Sequence, residues 1–112
     1  MTDRRGEVWW GPAPNKSSPA YRPWLVLSGR NHPFADVECI VVAMTTQRHS
    51  QGIDVPESGW VRGGSEKDAY ISPWYVATLK LSDLDNQQGE LQSSLVDTAI
   101  EELRSYVPLH DS

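Results

Sequence analysis

Short apolar runs, separated by polar segments rich in Gly and Pro, dominate the first 80 residues of the chain. Runs of this length and spacing are typical of β-strands. The run over residues 37–44 is nearly continuous in apolar residues, so we expect both faces of that strand to be covered. Pro23 has no N–H for a strand ladder, and we therefore expect it at the first position of its strand. The predicted strands cover residues 6–10, 23–28, 37–44, 53–55, 69–74 and 75–80, the last two being either separate strands or one strand bent at Pro73.

The pattern changes period in the last fifth of the chain. Apolar residues recur every three or four positions between residues 93 and 107, which predicts a helix with one apolar face. Ser93 or Ser94 is placed to cap the start of this helix, and Pro108 is placed to end it. The apolar face comprises Leu95, Val96, Ala99, Ile100, Leu103 and Val107. Five or six short strands and one terminal helix predict a single mostly β domain over residues 1–112, built as a small barrel or curled sheet.

The net charge of −5 is unevenly distributed along the chain. Residues 1–50 carry six basic and four acidic side chains, whereas residues 51–112 carry four basic and eleven acidic ones. We therefore expect the N-terminal half to hold any anionic ligand.

Composition argues against several classes of protein. No apolar run approaches the ~20 residues that span a membrane, and the first residues lack an apolar signal segment, so we expect a cytoplasmic protein without membrane contact. Cys39 is the only cysteine, which excludes an internal disulfide, and its apolar neighbours indicate a thiol packed in the core. The three histidines show no spacing typical of metal ligands, and we predict no metal site and no cofactor.

The five tryptophans supply a large aromatic area for so short a chain. We expect Trp9 and Trp24 to be buried in the core. Trp10, Trp60 and Trp74 remain candidate platforms on which nucleic-acid bases could stack.

Three segments carry the candidate chemistry. Residues 5–9 read Arg-Gly-Glu-Val-Trp, residues 21–28 place Arg22 where a loop enters a strand, and residues 43–48 end the most apolar strand with polar side chains that include Thr45. In this order, and at these separations, the segments resemble the MazF/PemK family of toxin ribonucleases. The resemblance covers about residues 4–107, and Asn31 also falls where that family often has an asparagine.

The resemblance implies an SH3-like barrel of the MazF/PemK/CcdB type, closed by a C-terminal helix and usually assembled as a homodimer. It also implies a toxin that cleaves single-stranded RNA without a metal, and a cognate antitoxin whose disordered segment wraps the site. Arg22 and Thr45 match the family's catalytic arginine and threonine. The residues expected to bind RNA are Lys16, Ser17, Ser18, Tyr21, Asn31, Thr46, Gln47 and Arg48.

The chemistry of Arg22 and Thr45 agrees with these roles. Attack by the neighbouring 2′-hydroxyl on a phosphate requires orientation and charge stabilisation. A guanidinium stays charged and can hold two phosphate oxygens, and a threonine hydroxyl can donate to the same phosphate. Thr46 is a close rival of Thr45. An acid–base pair of His32 and His49 is an alternative mechanism, which we rank below the arginine one.

The chain departs from the family pattern in two places. Residues 16–21 lack the common Gly-Ser-Glu-Gln motif, and residues 72–78 lack a late-strand run with a second arginine, near whose place Ala77 falls. We therefore expect a different RNA sequence preference or reduced activity, with loop 11–21 setting the preference.

Two other functions remain open from the sequence. One is a catalytically inactive barrel module that binds RNA or protein. The other is a gyrase-directed toxin of the CcdB kind, which depends on a C-terminal Trp-Gly-Ile, whereas this sequence ends Leu-His-Asp-Ser. A shared fold is a weak basis for choosing among these functions.

Overall fold

A computed structural model describes residues 3–13 and 20–110 of the chain. In these ranges seven antiparallel strands form one sheet that curls into a nearly closed barrel, in the order β4-β6-β3-β2-β1-β7-β5. One α-helix follows the last strand. This architecture confirms the predicted mostly β fold with a C-terminal helix. The elements are β1 (Glu7–Pro12), β2 (Tyr21–Val26), β3 (Glu38–Thr45), β4 (Ile53–Val55), β5 (Trp60–Gly63), β6 (Ala69–Lys80), β7 (Asp85–Leu91) and α1 (Ser93–Tyr106).

Strands β2 and β3 are buried on both faces. Alternate residues point to opposite sides of a strand, so each strand supplies two different apolar clusters. Leu25 of β2 and Val42 of β3 belong to the cluster covered by α1, whereas Trp24 and Val41 belong to the cluster on the other side of the sheet. All four side chains are fully buried. The prediction that the third strand is covered on both faces is confirmed.

Strand β6 is a single strand with an irregularity at Pro73. Its register with β3 jumps from Val42↔Val76 to Ala43↔Ser72, so residues 73–75 bulge out of the ladder. A bulge leaves residues unpaired, which makes it a favourable place for a proline. The bent-strand alternative is therefore the correct one.

Two strands differ from the sequence-based prediction. Strands β5 and β7 were missed, and strand structure continues to Leu91 rather than ending near residue 80. Strand β7 has the sequence Asp-Asn-Gln-Gln-Gly-Glu-Leu, which lacks the apolar alternation by which strands are recognised. It is held in the sheet by pairing with β1 on one side and β5 on the other.

The expectation that Pro23 opens its strand was wrong, because β2 begins at Tyr21. Pro23 pairs with Trp10 of β1, but β2 pairs with β3 only from Trp24 onward. One side of the strand is thus unpaired at Pro23, where a missing N–H costs no ladder hydrogen bond.

The predicted helix is present, with two corrections at its ends. Gln92, not Ser93 or Ser94, is the N-cap residue, and no side chain caps the first turn by a hydrogen bond. Val107 is 69% exposed and lies outside the apolar face, because the helix ends at Tyr106. Val96 and Ala99 are buried against the barrel, with Leu95, Ile100 and Leu103 packed beside them.

The tryptophans divide between the core and the surface. Trp24 is fully buried as expected, but Trp9 is only partly buried, and its Nε1 donates a hydrogen bond to the carboxylate of Glu7. Trp60 packs against the core, which removes it as a stacking platform. Trp10 and Trp74 are 37% and 40% exposed.

Glu7 is a carboxylate buried where three strands meet. Its Oε1 accepts a hydrogen bond from Trp9 Nε1 at 2.8 Å and lies 3.6 Å from Arg4, and its Oε2 lies 3.8 Å from Arg62. Arg62 also pairs with Glu90 at 3.1 Å. The cluster therefore links β1, β5 and β7 by charge, beside the apolar contacts that these strands also make.

We expect Glu7→Gln to lower the free energy of unfolding by about 1–3 kcal/mol, because the amide retains the shape but loses the charge-assisted contacts. Chemical denaturation measures the change. Glu101→Gln, on the exposed face of α1, is the matched control and should be neutral. Equal stability of both variants would show that the cluster contributes nothing.

Cys39 is buried, as predicted, and burial raises the pKa of its thiol to about 11. The thiol is therefore protonated at neutral pH. We expect a thiol reagent at pH 8 to label the folded protein far more slowly than the unfolded chain. Because the raised pKa belongs to the folded state, the thiol's contribution to stability should be full below pH 9.0 and be lost as the pH rises toward 11. Rapid labelling of the folded protein at pH 8 would contradict the prediction of slow labelling.

Candidate functional site

Arg22 is held by three contacts at the start of β2. Its guanidinium donates through Nη2 to the carbonyl oxygen of Met44 at 3.1 Å. The guanidinium carbon lies 5.0 Å from the ring centre of Tyr75 and 5.7 Å from that of Trp24, within the range of cation–π attraction. The two rings pack edge to face, with centroids 5.4 Å apart. The bulge in β6 carries Tyr75, so the irregularity at Pro73 helps to orient the arginine.

The guanidinium retains donor capacity after these contacts. Its Nε is buried and has no hydrogen-bond partner among the described residues. Leaving a buried donor unpaired costs about 1–3 kcal/mol, and more for a charged group. The hydrogen bonding of Arg22 is therefore incomplete within the described residues.

An open pocket of about 240 Å³ lies beside Arg22, where β2 begins and β3 ends. Two exposed aromatic residues, Trp10 and Tyr21, form part of its wall. Thr45 and Thr46 lie at the end of β3, on the same wall. The pocket is lined by Trp10, Tyr21, Arg22, Pro23, Met44, Thr45, Thr46, Ser65, Ala69 and Gln88.

The two threonines differ in how they are held. Thr45 Oγ1 accepts a hydrogen bond from the backbone N–H of Gln47 at 3.0 Å, which fixes the hydroxyl oxygen while its hydrogen remains able to donate. Thr45 is half-buried, whereas Thr46 is exposed. An oriented donor costs less entropy to use, which favours Thr45 over its rival.

The other residues expected to bind RNA are spread over the molecule. Tyr21 and Thr46 line the pocket, but Gln47 and Arg48 are exposed on the loop after β3 and lie outside its wall. Arg48 lines a neighbouring cleft that includes Asp54 and Asp68. Asn31 is exposed in the turns between β2 and β3 and lies apart from the pocket. Lys16, Ser17 and Ser18, with most of loop 11–21, fall outside the described residues.

His32 and His49 each accept a hydrogen bond from the backbone of their own turn. His32 Nδ1 accepts from the N–H of Phe34 at 2.9 Å, and His49 Nδ1 accepts from that of Gln51 at 3.0 Å. His49 also packs against Trp74, with ring centres 4.9 Å apart. Neither histidine lines the Arg22 pocket. The described residues also contain no group of three or more side chains that could hold a metal ion.

Gln88 is a pocket residue that the sequence analysis missed. It lies on β7, the strand whose polar sequence hid it. Its Nε2 donates to the carbonyl oxygen of Gly64 at 3.1 Å, and its Oε1 is buried without a hydrogen-bond partner among the described residues. Only the register of β7 brings this amide to the pocket, and no local sequence signal reveals that register.

The end of β5 approaches the backbone of Gln88 closely. Gly63 has φ +69°, and a Cβ there would collide with the carbonyl oxygen of Gln88. Glycine alone therefore fits this position without displacing β7. The next residue, Gly64, donates its N–H to the same carbonyl at 3.4 Å.

A family model described as PemK-like, MazF-like toxin of type II toxin–antitoxin systems matches residues 4–107. This chain belongs to that toxin family. The match covers the whole barrel and α1, and it agrees with the resemblance carried by residues 5–9, 21–28 and 43–48. A comparison with curated proteins gave no match.

Solved structures of MazF toxins share the fold of this PemK/MazF-like chain. One, an endoribonuclease in complex with its cognate antitoxin from Mycobacterial species, has a TM-score of 0.70 at 18% identity and covers 96% of this chain and 95% of its own. A second, the Mycobacterium tuberculosis toxin MazF-mt6, has a TM-score of 0.68 at 17% identity and covers 88% and 93%. A third, a MazE–MazF structure from Deinococcus radiodurans, has a TM-score of 0.67 at 15% identity and covers 94% of each chain.

In the described part of the chain no helix is both long and apolar enough to cross a membrane.

Ala77, near the place of the family's second arginine, pairs with Val41 and packs on the cluster that contains Trp24. It lies outside the pocket wall, so the position adds no polar group to the site.

Proposed function

We propose that this toxin is an endoribonuclease that cleaves single-stranded RNA at the Arg22 pocket without a metal. The observation that carries the proposal is the fixed guanidinium of Arg22, with an unpartnered buried Nε, at the wall of a pocket that also contains Thr45. Membership of the toxin family supports the same function. Two solved structures with the same fold are named endoribonucleases, which supports the proposed activity.

The proposed reaction uses the substrate's own 2′-hydroxyl. The 2′-oxygen attacks the adjacent phosphorus, the bond from phosphorus to the 5′-oxygen breaks, and the products are a 2′,3′-cyclic phosphate and a 5′-hydroxyl. The 2′-hydroxyl loses its proton to water, and the departing 5′-oxygen gains one from water. Arg22 stabilises the charge that develops on the phosphate oxygens, and Thr45 donates to one of them and fixes the pose.

The requirement for a 2′-hydroxyl makes RNA, and not DNA, the substrate. The pocket favours a single strand, because Trp10 and Tyr21 can stack only on a base that is free of its own helix. A guanidinium flanked by aromatic rings offers both charge and a planar surface to such a substrate.

Two partners belong to the same proposal. Some MazF neighbours are in complex with their antitoxins, and we expect a cognate antitoxin to cover this pocket with a disordered segment. We also expect a homodimer, for which the exposed Trp74 and Val76 of β6 offer an apolar surface.

We expect Arg22→Ala to reduce RNA cleavage by about 100-fold or more, by analogy with the loss of one preorganised donor to a transition-state anion. Mapping of cleavage ends on a mixed RNA, with a chelator present throughout, measures the effect. Arg30→Ala, at an exposed arginine of the β2–β3 turns, is the control and should cleave like the parent. Circular dichroism confirms that both variants fold.

Three outcomes would contradict the proposal. Absence of cleavage by the parent protein would leave a binding module as the better description. Full cleavage by Arg22→Ala would remove the proposed role of the guanidinium. Loss of the parent's activity on chelation would show that a metal takes part.

The two threonines can be separated by a matched pair of substitutions. We expect Thr45→Val to lower kcat by about tenfold or more, because one hydrogen bond to a charged phosphate is lost. Thr45→Ser, which keeps the hydroxyl, should retain most of the activity, and Thr46→Val should behave like the parent. A larger loss in Thr46→Val than in Thr45→Val would reverse the assignment.

A further inference from the structure

The size of the Arg22 pocket suits one nucleobase. Its volume of about 240 Å³ falls below the roughly 300–1,000 Å³ of sites for drug-sized ligands. Trp10 and Tyr21 present exposed aromatic faces on its wall. Because Arg22 and Thr45 line the same pocket, a base held there belongs to a nucleotide next to the phosphate that they contact.

Gln88 lines this pocket, and the bonding of its side-chain amide has a defined polarity. The carbonyl oxygen of Gly64 can only accept a hydrogen bond, so the nitrogen of the amide must face it, as the 3.1 Å contact shows. The oxygen, Oε1, is left as an acceptor with no partner among the described residues. Contacts of the Gly63–Gly64 turn with the backbone of Gln88 hold the residue in place.

Because Oε1 is an acceptor, only a hydrogen-bond donor of the ligand can pair with it. Phosphate oxygens are acceptors and repel it, which leaves donors on a base or the 2′-hydroxyl of a ribose. The imino N–H of uracil lies between two carbonyl oxygens, and these would repel Oε1 when the N–H donates to it. An exocyclic amino group projects beyond its ring, so it can donate to Oε1 with less repulsion from the rest of the base.

We propose that Gln88 Oε1 accepts a hydrogen bond from the exocyclic amino group of a base in the Arg22 pocket, so that Gln88 makes the toxin prefer an amino-bearing base over uracil beside the cleaved bond. This inference deepens the proposed ribonuclease function and rests on it for the position of the scissile phosphate. Trp10 and Tyr21 supply stacking that all bases share, whereas Gln88 supplies the discrimination.

The first test compares short RNAs that differ at one nucleotide beside the cleaved bond. For the parent we expect kcat/KM to fall about tenfold or more when uracil replaces adenine or cytosine, and by a similar factor when adenosine is replaced by purine riboside, which lacks the amino group. In Gln88→Met, which keeps the length but lacks the acceptor, both penalties should disappear. Gln87→Met is the matched control, because Gln87 is exposed, bonds to Gly89 and lies outside the pocket wall.

The ratio of kcat/KM between bases separates base recognition by Gln88 from a purely structural role. Were Gln88→Met to lower kcat/KM by the same factor for every base, Gln88 would only support the strand and the inference would fail. The inference would also fail if Gln87→Met changed the preference as much. Weaker binding of an uncleaved RNA analogue that lacks only the 2′-hydroxyl at that nucleotide, with no loss of binding when the amino group is removed, would assign Oε1 to the ribose instead.

A binding measurement separates failure of this inference from failure of the proposed function. Tetranucleotides of 2′-O-methyl RNA that differ in one base are not cleaved, and quenching of tryptophan fluorescence reports their binding near Trp10. Even if the parent cleaved no RNA, we expect tighter binding of the adenine or cytosine tetranucleotide than of the uracil one, and loss of this difference in Gln88→Met. Equal binding of all tetranucleotides by the parent would overturn the base-reading role alone.

Discussion

The two-sided burial of β2 and β3 is the constraint on which the rest of the molecule depends. Each strand contributes alternate residues to two separate apolar clusters, so neither strand can shift by one residue without exchanging its whole set of contacts. Arg22 precedes the buried part of β2, and Thr45 ends β3. The register of this doubly buried pair of strands therefore sets the distance between the two proposed catalytic groups, and loop chemistry can vary around them.

The pocket concentrates polar groups whose bonding is incomplete. Arg22 Nε and Gln88 Oε1, a donor and an acceptor, are both buried without partners among the described residues, and both belong to residues on one pocket wall. Buried polar atoms in folded proteins are almost always paired, and exceptions call for an explanation. The proposed substrate would supply one here, because a nucleotide carries acceptors on its phosphate and donors on its base. The core beneath contributes stability, and the wall retains unused hydrogen-bonding capacity.

The elements that the sequence predicted correctly are those whose physics is local. The apolar run at 37–44 required a doubly covered strand, the spacing of Val96 and Ala99 required a helix, and Arg22 stood out because it follows a loop and enters a rigid strand. Strand β7 could not be predicted, because its polar residues are kept in the sheet by neighbours distant in sequence. Gln88 was missed for the same reason. The helix start at Ser93 was predicted correctly, but its cap was not, because Gln92 makes no side-chain capping hydrogen bond that a motif could reveal.

Gly63 illustrates how far the control of specificity can extend from the pocket. It is absent from the pocket wall, yet its left-handed backbone brings the end of β5 so close to Gln88 that no side chain fits between them. The position of Gln88, and of any base contact that it makes, is therefore set by β5, the strand that pairs with β7. If Gln88 reads a base as proposed, RNA preference can diverge through residues such as Gly63 that never touch RNA, while Arg22 and Thr45 remain unchanged.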